Sequence, residues 1–190
     1  MKIALFFGSF NPVHIGHMII ANYMMEYSDI EQLWFVLSPQ NPFKKKKNLL
    51  EDYHRLAMLE EAVGDLHNYR VSDIEFKLPK PSYTIDTLTY LKERHPNNEF
   101  VLLMGADNLK HFHKWKNADQ ILDNYSLNVY ARPGENKTDL SEHPKVNFYD
   151  APQMEISSSF IRAGVKEKKD LRFFMPPAAY KYMREMHFYE

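Results

Sequence analysis

The chain has 190 residues, 44% of them hydrophobic and 26% charged, with a formal net charge of −1 and no cysteine. That length suits one domain, 1–190, able to bury a substantial core, and the composition is ordinary for a soluble globular protein. The missing cysteines exclude disulfides, thiolate metal sites and cysteine nucleophiles, and the near-zero charge gives no bulk attraction to nucleic acid or anionic lipid.

The first apolar stretch, Ile3–Phe7, is too short for a signal peptide. No run approaches the roughly 18–20 apolar residues that span a bilayer, so the expected location is the cytoplasm. Lys2–Phe7 reads as a strand and Gly16–Tyr27 as a helix. Gln32–Leu37 is a second strand, closed by Ser38-Pro39 and a loop to about Asn48. In Asp52–Val63, Leu56, Leu59 and Val63 recur at helical spacing. Tyr69–Ile74 is a third strand whose partly polar makeup suggests a sheet edge. Thr84 opens a helix with Ile85, Leu88 and Leu91 on one face.

Glu99–Met104 is continuously apolar from Phe100 and predicts a central strand. Leu127–Ala131 and Val146–Tyr149 are weaker strands around a turn-rich stretch containing Pro133-Gly134. A C-terminal helical portion starts at about 157, and Pro176-Pro177 begin the last helix. Its aromatic and Met residues are most simply a packing face, with a homo-oligomer contact as the alternative.

Alternating strands and helices predict an α/β fold: a Rossmann-like, mostly parallel, doubly wound sheet with helices on both faces. Ligands of such sheets bind beyond the carboxyl ends of the strands, where strand order reverses. If the strands ending at Gly8 and at Gly105-Ala106-Asp107 are neighbours, both turns open into one crevice.

The segment from Gly8 to His17 reads Gly-Ser-Phe-Asn-Pro-Val-His-Ile-Gly-His. A strand, a glycine-led turn and two imidazoles at i and i+3 of a helix start suit a polyphosphate, because helix-start amides and dipole favour an anion. Gly8 and Gly16 would let phosphate or a ring approach the backbone. Ile156-Ser157-Ser158-Ser159-Phe160-Ile161-Arg162 offers hydroxyls, helix-start amides and a guanidinium, a second phosphate cradle; alone, a plain serine-capped helix with a surface arginine explains it better. Asp107 after the central strand could accept ribose hydroxyls or cap a helix.

The first segment resembles the (T/H)xGH signature of the nucleotidyltransferase superfamily, and the second its ISSTxIR signature, with Ser159 in place of threonine. Pro81-Ser82-Tyr83-Thr84-Ile85-Asp86-Thr87-Leu88, the Gly105-Ala106-Asp107 turn and Trp115 further resemble bacterial nicotinate-nucleotide adenylyltransferases. The resemblance implies adenylyl transfer from ATP to nicotinate mononucleotide, with Mg²⁺ carried largely by the substrate and no residue assigned to a metal. It implies His14, His17 and Arg162 as catalytic, with ATP held by Gly8, Ser9, Phe10, His14, Gly16, His17, Gly105, Asp107, Ile156, Ser157, Ser158, Ser159 and Arg162.

For the mononucleotide it implies Tyr83, Thr84, Thr87, Trp115 and Lys116, with Trp115 stacked on the pyridine and backbone amides of Thr84 and Lys116 on its carboxylate. Lys44 or Lys45 would take its phosphate, although the family's PPH(K/R) stretch is here Asn41-Pro42-Phe43-Lys44. Arg55 matches a family arginine, or pairs only with Asp52 or Glu51. Nicotinamide-nucleotide or phosphopantetheine adenylyltransferase activity, a class I tRNA synthetase fragment and a non-catalytic nucleotide sensor are the competing readings. Nucleic acid and membranes are not expected partners.

Overall fold

In β1 (Lys2–Gly8) the period-two alternation sends Ala4 and Phe6 to one face of the sheet and Ile3 and Leu5 to the other, all buried. A strand apolar on both faces needs cover on both faces, which parallel sheets obtain from crossover helices. The computed structural model describes residues 1–39, 49–131 and 138–190. In order they form β1, α1 (Ile15–Tyr27), β2 (Gln32–Leu37), α2 (Asp52–Val63), β3 (Tyr69–Ser72), α3 (Thr84–Arg94) and β4 (Glu99–Gly105). There follow α4 (Ala106–Lys110), α5 (Ala118–Asn124), β5 (Ser126–Tyr130), β6 (Val146–Tyr149), α6 (Ser158–Lys166) and α7 (Pro177–Glu185).

All strand pairings are parallel, in the order β3-β2-β1-β4-β5-β6. The chain winds outward from β1 in one direction and from β4 in the other, so strand order reverses between these two neighbours. That is the topological switch point, and the β1 and β4 turns open there together, as the sequence predicts. On one face Ile20, Ala21 and Met24 of α1, Met58 and Leu59 of α2, Ile161 of α6 and Met183 of α7 cover Ala4, Phe6 and Phe35. On the other, Ile85, Leu88 and Leu91 of α3, Leu109 of α4 and Ile121 of α5 cover Ile3, Leu5 and Leu102. Each such Ile, Leu, Met or Phe side chain, fully buried, contributes about 1.5–3 kcal/mol.

β3 lies at the sheet edge as expected but ends at Ser72. Ile74–Lys77 forms a 3₁₀ turn instead of continuing the strand. The turn rotates Glu75 inward, where hydroxyls of Ser82 and Thr87 reach it. Two helices escape the sequence pattern: α4 is too short to show a period, and α5 carries only Ile121 and Leu122 as buried apolar residues. Lys44, Lys45 and Pro133-Gly134 lie outside the described residues.

The loops at the carboxyl edge are tied by a buried cation. Arg55 of α2 is 0% exposed. Its Nε donates to the Leu50 carbonyl (2.9 Å), Nη1 to those of Ser9 (2.5 Å) and Ser38 (3.0 Å), and Nη2 to that of Pro39 (3.3 Å) and to Asp52 Oδ1 (2.5 Å). Burial pushes the guanidinium below its usual range, opposed chiefly by Asp52. Arg55→Met, which keeps the bulk but removes every donor, is expected to lower unfolding free energy by about 3–5 kcal/mol in a urea titration. A loss below about 1 kcal/mol would show that water replaces these bonds.

Candidate active site

Residues 8–17 leave β1 and enter α1 through a turn shaped by its own aromatic ring. Phe10 holds φ +40° and is 2% exposed, its ring packed edge-on to Phe6, Phe35 and His17. A Cβ on Gly8 would sit 2.8 Å from that ring, so glycine is required here by Phe10 itself. That ring fills the side of Gly8 on which a Cβ would stand, so Gly8 and Phe10 would meet a ligand through their backbones. At Gly16 the neighbour is the His14 ring, 3.1 Å from where a Cβ would stand. Gly16 therefore allows the imidazole to lie flat on the helix start.

His14 is the N-cap of α1 and is buried, with its ring stacked on His17 at 3.6 Å between centroids. The His14 backbone N–H donates to Nδ1 of His17 at 3.1 Å. A nitrogen accepting an N–H carries no proton, so His17 is the neutral tautomer with its proton on Nε2. In this arrangement the ring presents its Nε2–H as the donor. The helix start offers fewer amides than its sequence suggests, because the Ile15 N–H is taken by the Phe174 carbonyl at 2.9 Å.

The second motif closes on the first. Ser157 caps α6, accepting the Phe160 N–H at 3.2 Å. Ser158 Oγ donates to the Pro12 carbonyl (2.8 Å), and Arg162 Nη1 to the Asn11 carbonyl (2.6 Å). Arg162 Nη2 donates to Ser159 Oγ at 3.2 Å, and Ile156 lies 4.0 Å from the Cβ position of Gly16. Arg162 and Ser159 line a cleft of about 420 Å³ with Leu50, Lys166 and Tyr189. Asp107 stands in the first turn of α4, just beyond β4, with Gly105 as the N-cap.

A second cluster forms around the start of α3. Lys116 Nζ bridges to Asp86 (2.9 Å) and lies 4.7 Å above the Tyr83 ring, tying the half-buried Trp115 to this helix start. Thr84 is the first residue of α3, so its amide has no partner within the helix. Thr87 is 0% exposed, and its hydroxyl donates to Glu75 Oε1 at 3.0 Å, so its side chain braces the helix.

Glu75 goes unmarked in the sequence, as a single acid just past the expected third strand. It is 3% exposed and also accepts Ser82 Oγ at 3.0 Å. A further hydrogen bond joins it to Ser38, whose backbone N–H donates to the Gly8 carbonyl at 2.9 Å. Glu75 thus couples the α3 start to the β1 turn. Asn11 is the other hub missed, its carbonyl on Arg162 and its side-chain oxygen on the Leu50 amide and the Tyr189 hydroxyl.

The chain matches the cytidylyltransferase-like family over residues 5–164. It is 50% identical to the probable nicotinate-nucleotide adenylyltransferase of Flavobacterium johnsoniae, with 100% of each chain covered. The Cytophaga hutchinsonii protein of the same name is 51% identical, over 92% of this chain and 91% of that one. The Plasmodium falciparum nicotinic acid mononucleotide adenylyltransferase complexed with NaAD superposes with a TM-score of 0.82 at 20% identity, covering 99% of this chain and 97% of that one.

Burial pushes the Glu75 carboxyl above its ordinary value of 4.5, opposed by hydrogen bonds from Ser38, Thr87 and Ser82. The folded chain therefore holds this proton more tightly than the unfolded chain. That contribution to stability is complete below the ordinary carboxylate value and is lost as pH rises through the folded one. Glu75→Gln should flatten the fall in thermal midpoint that accompanies this rise; an unaltered pH profile in the variant would show that Glu75 does not titrate across it.

Proposed function

The chain belongs to the nicotinate-nucleotide adenylyltransferase family, and from that membership and this geometry we propose that it transfers the adenylyl group of ATP to nicotinate mononucleotide. The products are deamido-NAD and pyrophosphate, and residues 1–190 act as a single nucleotidyltransferase domain. The observation that carries the reading is the junction of the two phosphate motifs, Ser158 on the Pro12 carbonyl and Arg162 on the Asn11 carbonyl. A triphosphate laid along the α1 start would meet donors from two sides.

The attacking group, the 5′-phosphate of the mononucleotide, is already an anion and needs no general base. What the reaction requires is alignment of that oxygen with the ATP α-phosphorus, opposite the leaving pyrophosphate, and stabilisation of the charge that develops. His17 is suited to the second task, as its Nε2–H is fixed by the bond its Nδ1 accepts. We assign His14 to the α-phosphate, His17 to the β-phosphate side, and Arg162 with the Ser157–Ser159 turn to pyrophosphate. A neutral donor held by the backbone needs no reorganisation as charge moves, which favours the transition state over bound ATP.

Ser9, Gly105, Asp107 and Ile156 line the ATP side of this scheme, with Asp107 accepting the ribose hydroxyls. Trp115 would stack on the pyridinium, and the Thr84 and Lys116 amides would hold its carboxylate, with Tyr83 closing the wall. Lys44 or Lys45 remains our assignment for the mononucleotide phosphate. The donor set fits a divalent ion brought in by ATP and held largely by phosphate oxygens and water: Asp107 places a carboxylate at the crevice. Mg²⁺ on the phosphates would supply charge neutralisation for the leaving pyrophosphate.

Pyrophosphate release from Mg-ATP, compared across nicotinate mononucleotide, nicotinamide mononucleotide and phosphopantetheine, tests the assignment. The first acceptor should be fastest, and a higher rate with either other would overturn it. In the same assay His17→Ala should lower kcat by roughly 10²–10³, the range for losing one charge-stabilising donor. Trp115→Ala should raise KM for the mononucleotide well beyond any change in KM for ATP, whereas equal rises would remove Trp115 from the pyridine site.

A further inference from the structure

The segment after α7 turns back across the molecule and ends on the phosphate-binding turn. Phe188 anchors it: the ring is 8% exposed and lies 4.5 Å from His54 of α2, while its N–H donates to the Met183 carbonyl at 3.1 Å. Glu190 closes the segment on Arg184 (3.4 Å) and His187 (3.0 Å). Between these two anchors Tyr189 holds φ +68°, a left-handed conformation that a residue with a Cβ adopts at a cost. That conformation delivers its hydroxyl to Asn11 Oδ1 at 2.7 Å.

Asn11 is 5% exposed, and the same oxygen accepts the Leu50 N–H at 3.2 Å. Its main-chain carbonyl takes Arg162 Nη1 at 2.6 Å. One residue thus connects the last turn of the chain, the loop beyond β2 and the guanidinium assigned to pyrophosphate. Tyr189 and Arg162 also share a wall of the 420 Å³ cleft. Burial raises the Tyr189 hydroxyl well above its usual range, with Arg162 and Arg55 opposing, so it stays protonated and can donate at any ordinary pH.

We propose that Tyr189 is a positioning residue for adenylyl transfer: its hydroxyl, through Asn11, holds the 9–12 turn in the register that aims Arg162 at the leaving group. The proposal rests on the function given above. Tyr189 touches no substrate in this scheme; it acts through Asn11. Removing the hydroxyl while keeping the ring leaves the packing of the segment intact but takes away one of the two donors on Asn11 Oδ1, leaving the Leu50 N–H.

The test is Tyr189→Phe in steady-state pyrophosphate release with Mg-ATP and nicotinate mononucleotide, beside a thermal melt. The expected result is a fall in kcat of roughly five- to tenfold, the scale of one buried hydrogen bond, with KM for the mononucleotide within about twofold and the midpoint within about 3 °C. In an Asn11→Ala background the same substitution should add less than about twofold, because its route is already broken. A fully additive loss, or an unchanged kcat in an active enzyme, would overturn the proposal, as would a lowered midpoint with kcat intact. A wild-type chain that releases pyrophosphate with none of the acceptors would instead remove the function it rests on, and the proposal with it.

Discussion

The carboxyl edge of the sheet is organised around the Arg55 guanidinium. Loops leaving parallel strands at a switch point turn sharply, and their carbonyls cannot all find partners in the ladder. Here the carbonyls of Ser9, Ser38, Pro39 and Leu50 converge on one cation that has no solvent contact. A charge in such a place is costly, and its pairing with Asp52 offsets only part of that cost. What it contributes is connection. Its planar fork of donors ties both loops to α2, so the turn after β1 is braced from within the protein.

From that frame the two faces of the sheet divide the proposed chemistry. Elements on the face of α1, α2, α6 and α7 carry His14, His17 and Arg162, which the proposed function assigns to the triphosphate. Elements on the opposite face carry Thr84, Trp115 and Lys116, assigned to the acceptor. β1 and β4 lie between them, so the reacting atoms would meet where neither group of helices covers the strand ends. Glu75 spans this division, joining Ser82 and Thr87 beside the α3 start to Ser38 beside the β1 turn. A buried carboxylate that receives several hydroxyls fixes the distance between the two halves more firmly than apolar contact would, since each bond is directional.

Much of the fold was legible because it follows from local periodicity. The continuous apolar run of β4, the mixed pattern of β3 and the serine cap of α6 each have one physical cause that lies within a few residues. Adjacency of β1 and β4 followed from the rule placing ligand turns at a switch point. What the hubs bond to was hidden for the opposite reason, even at Arg55, whose pairing with Asp52 the sequence does suggest. Arg55 bonds mostly to backbone carbonyls, which every residue has and no side-chain pattern announces. Glu75 depends on hydroxyls 7 and 12 residues later, and Tyr189 on a side chain 178 residues earlier. Sequence motifs mark the groups assigned to the ligand; the groups that hold those in place obey no spacing.

The same distinction bears on how an acid would be preferred over its amide. The resemblance assigns the Lys116 amide, not its ammonium, to the pyridine carboxylate, and the ammonium is engaged by Asp86 and rests over the Tyr83 ring. Its charge is therefore largely neutralised before any ligand arrives, and half-exposed ion pairs of this kind exert little net attraction. Discrimination at this position would fall to amides such as that of Thr84, which act as donors alone. A carboxylate offers them only acceptors, whereas a carboxamide would set its own NH₂ against them or leave one unpaired in a confined site. On this argument selectivity arises from the fixed direction of backbone donors, which depends on how firmly Glu75 and Thr87 hold the start of α3.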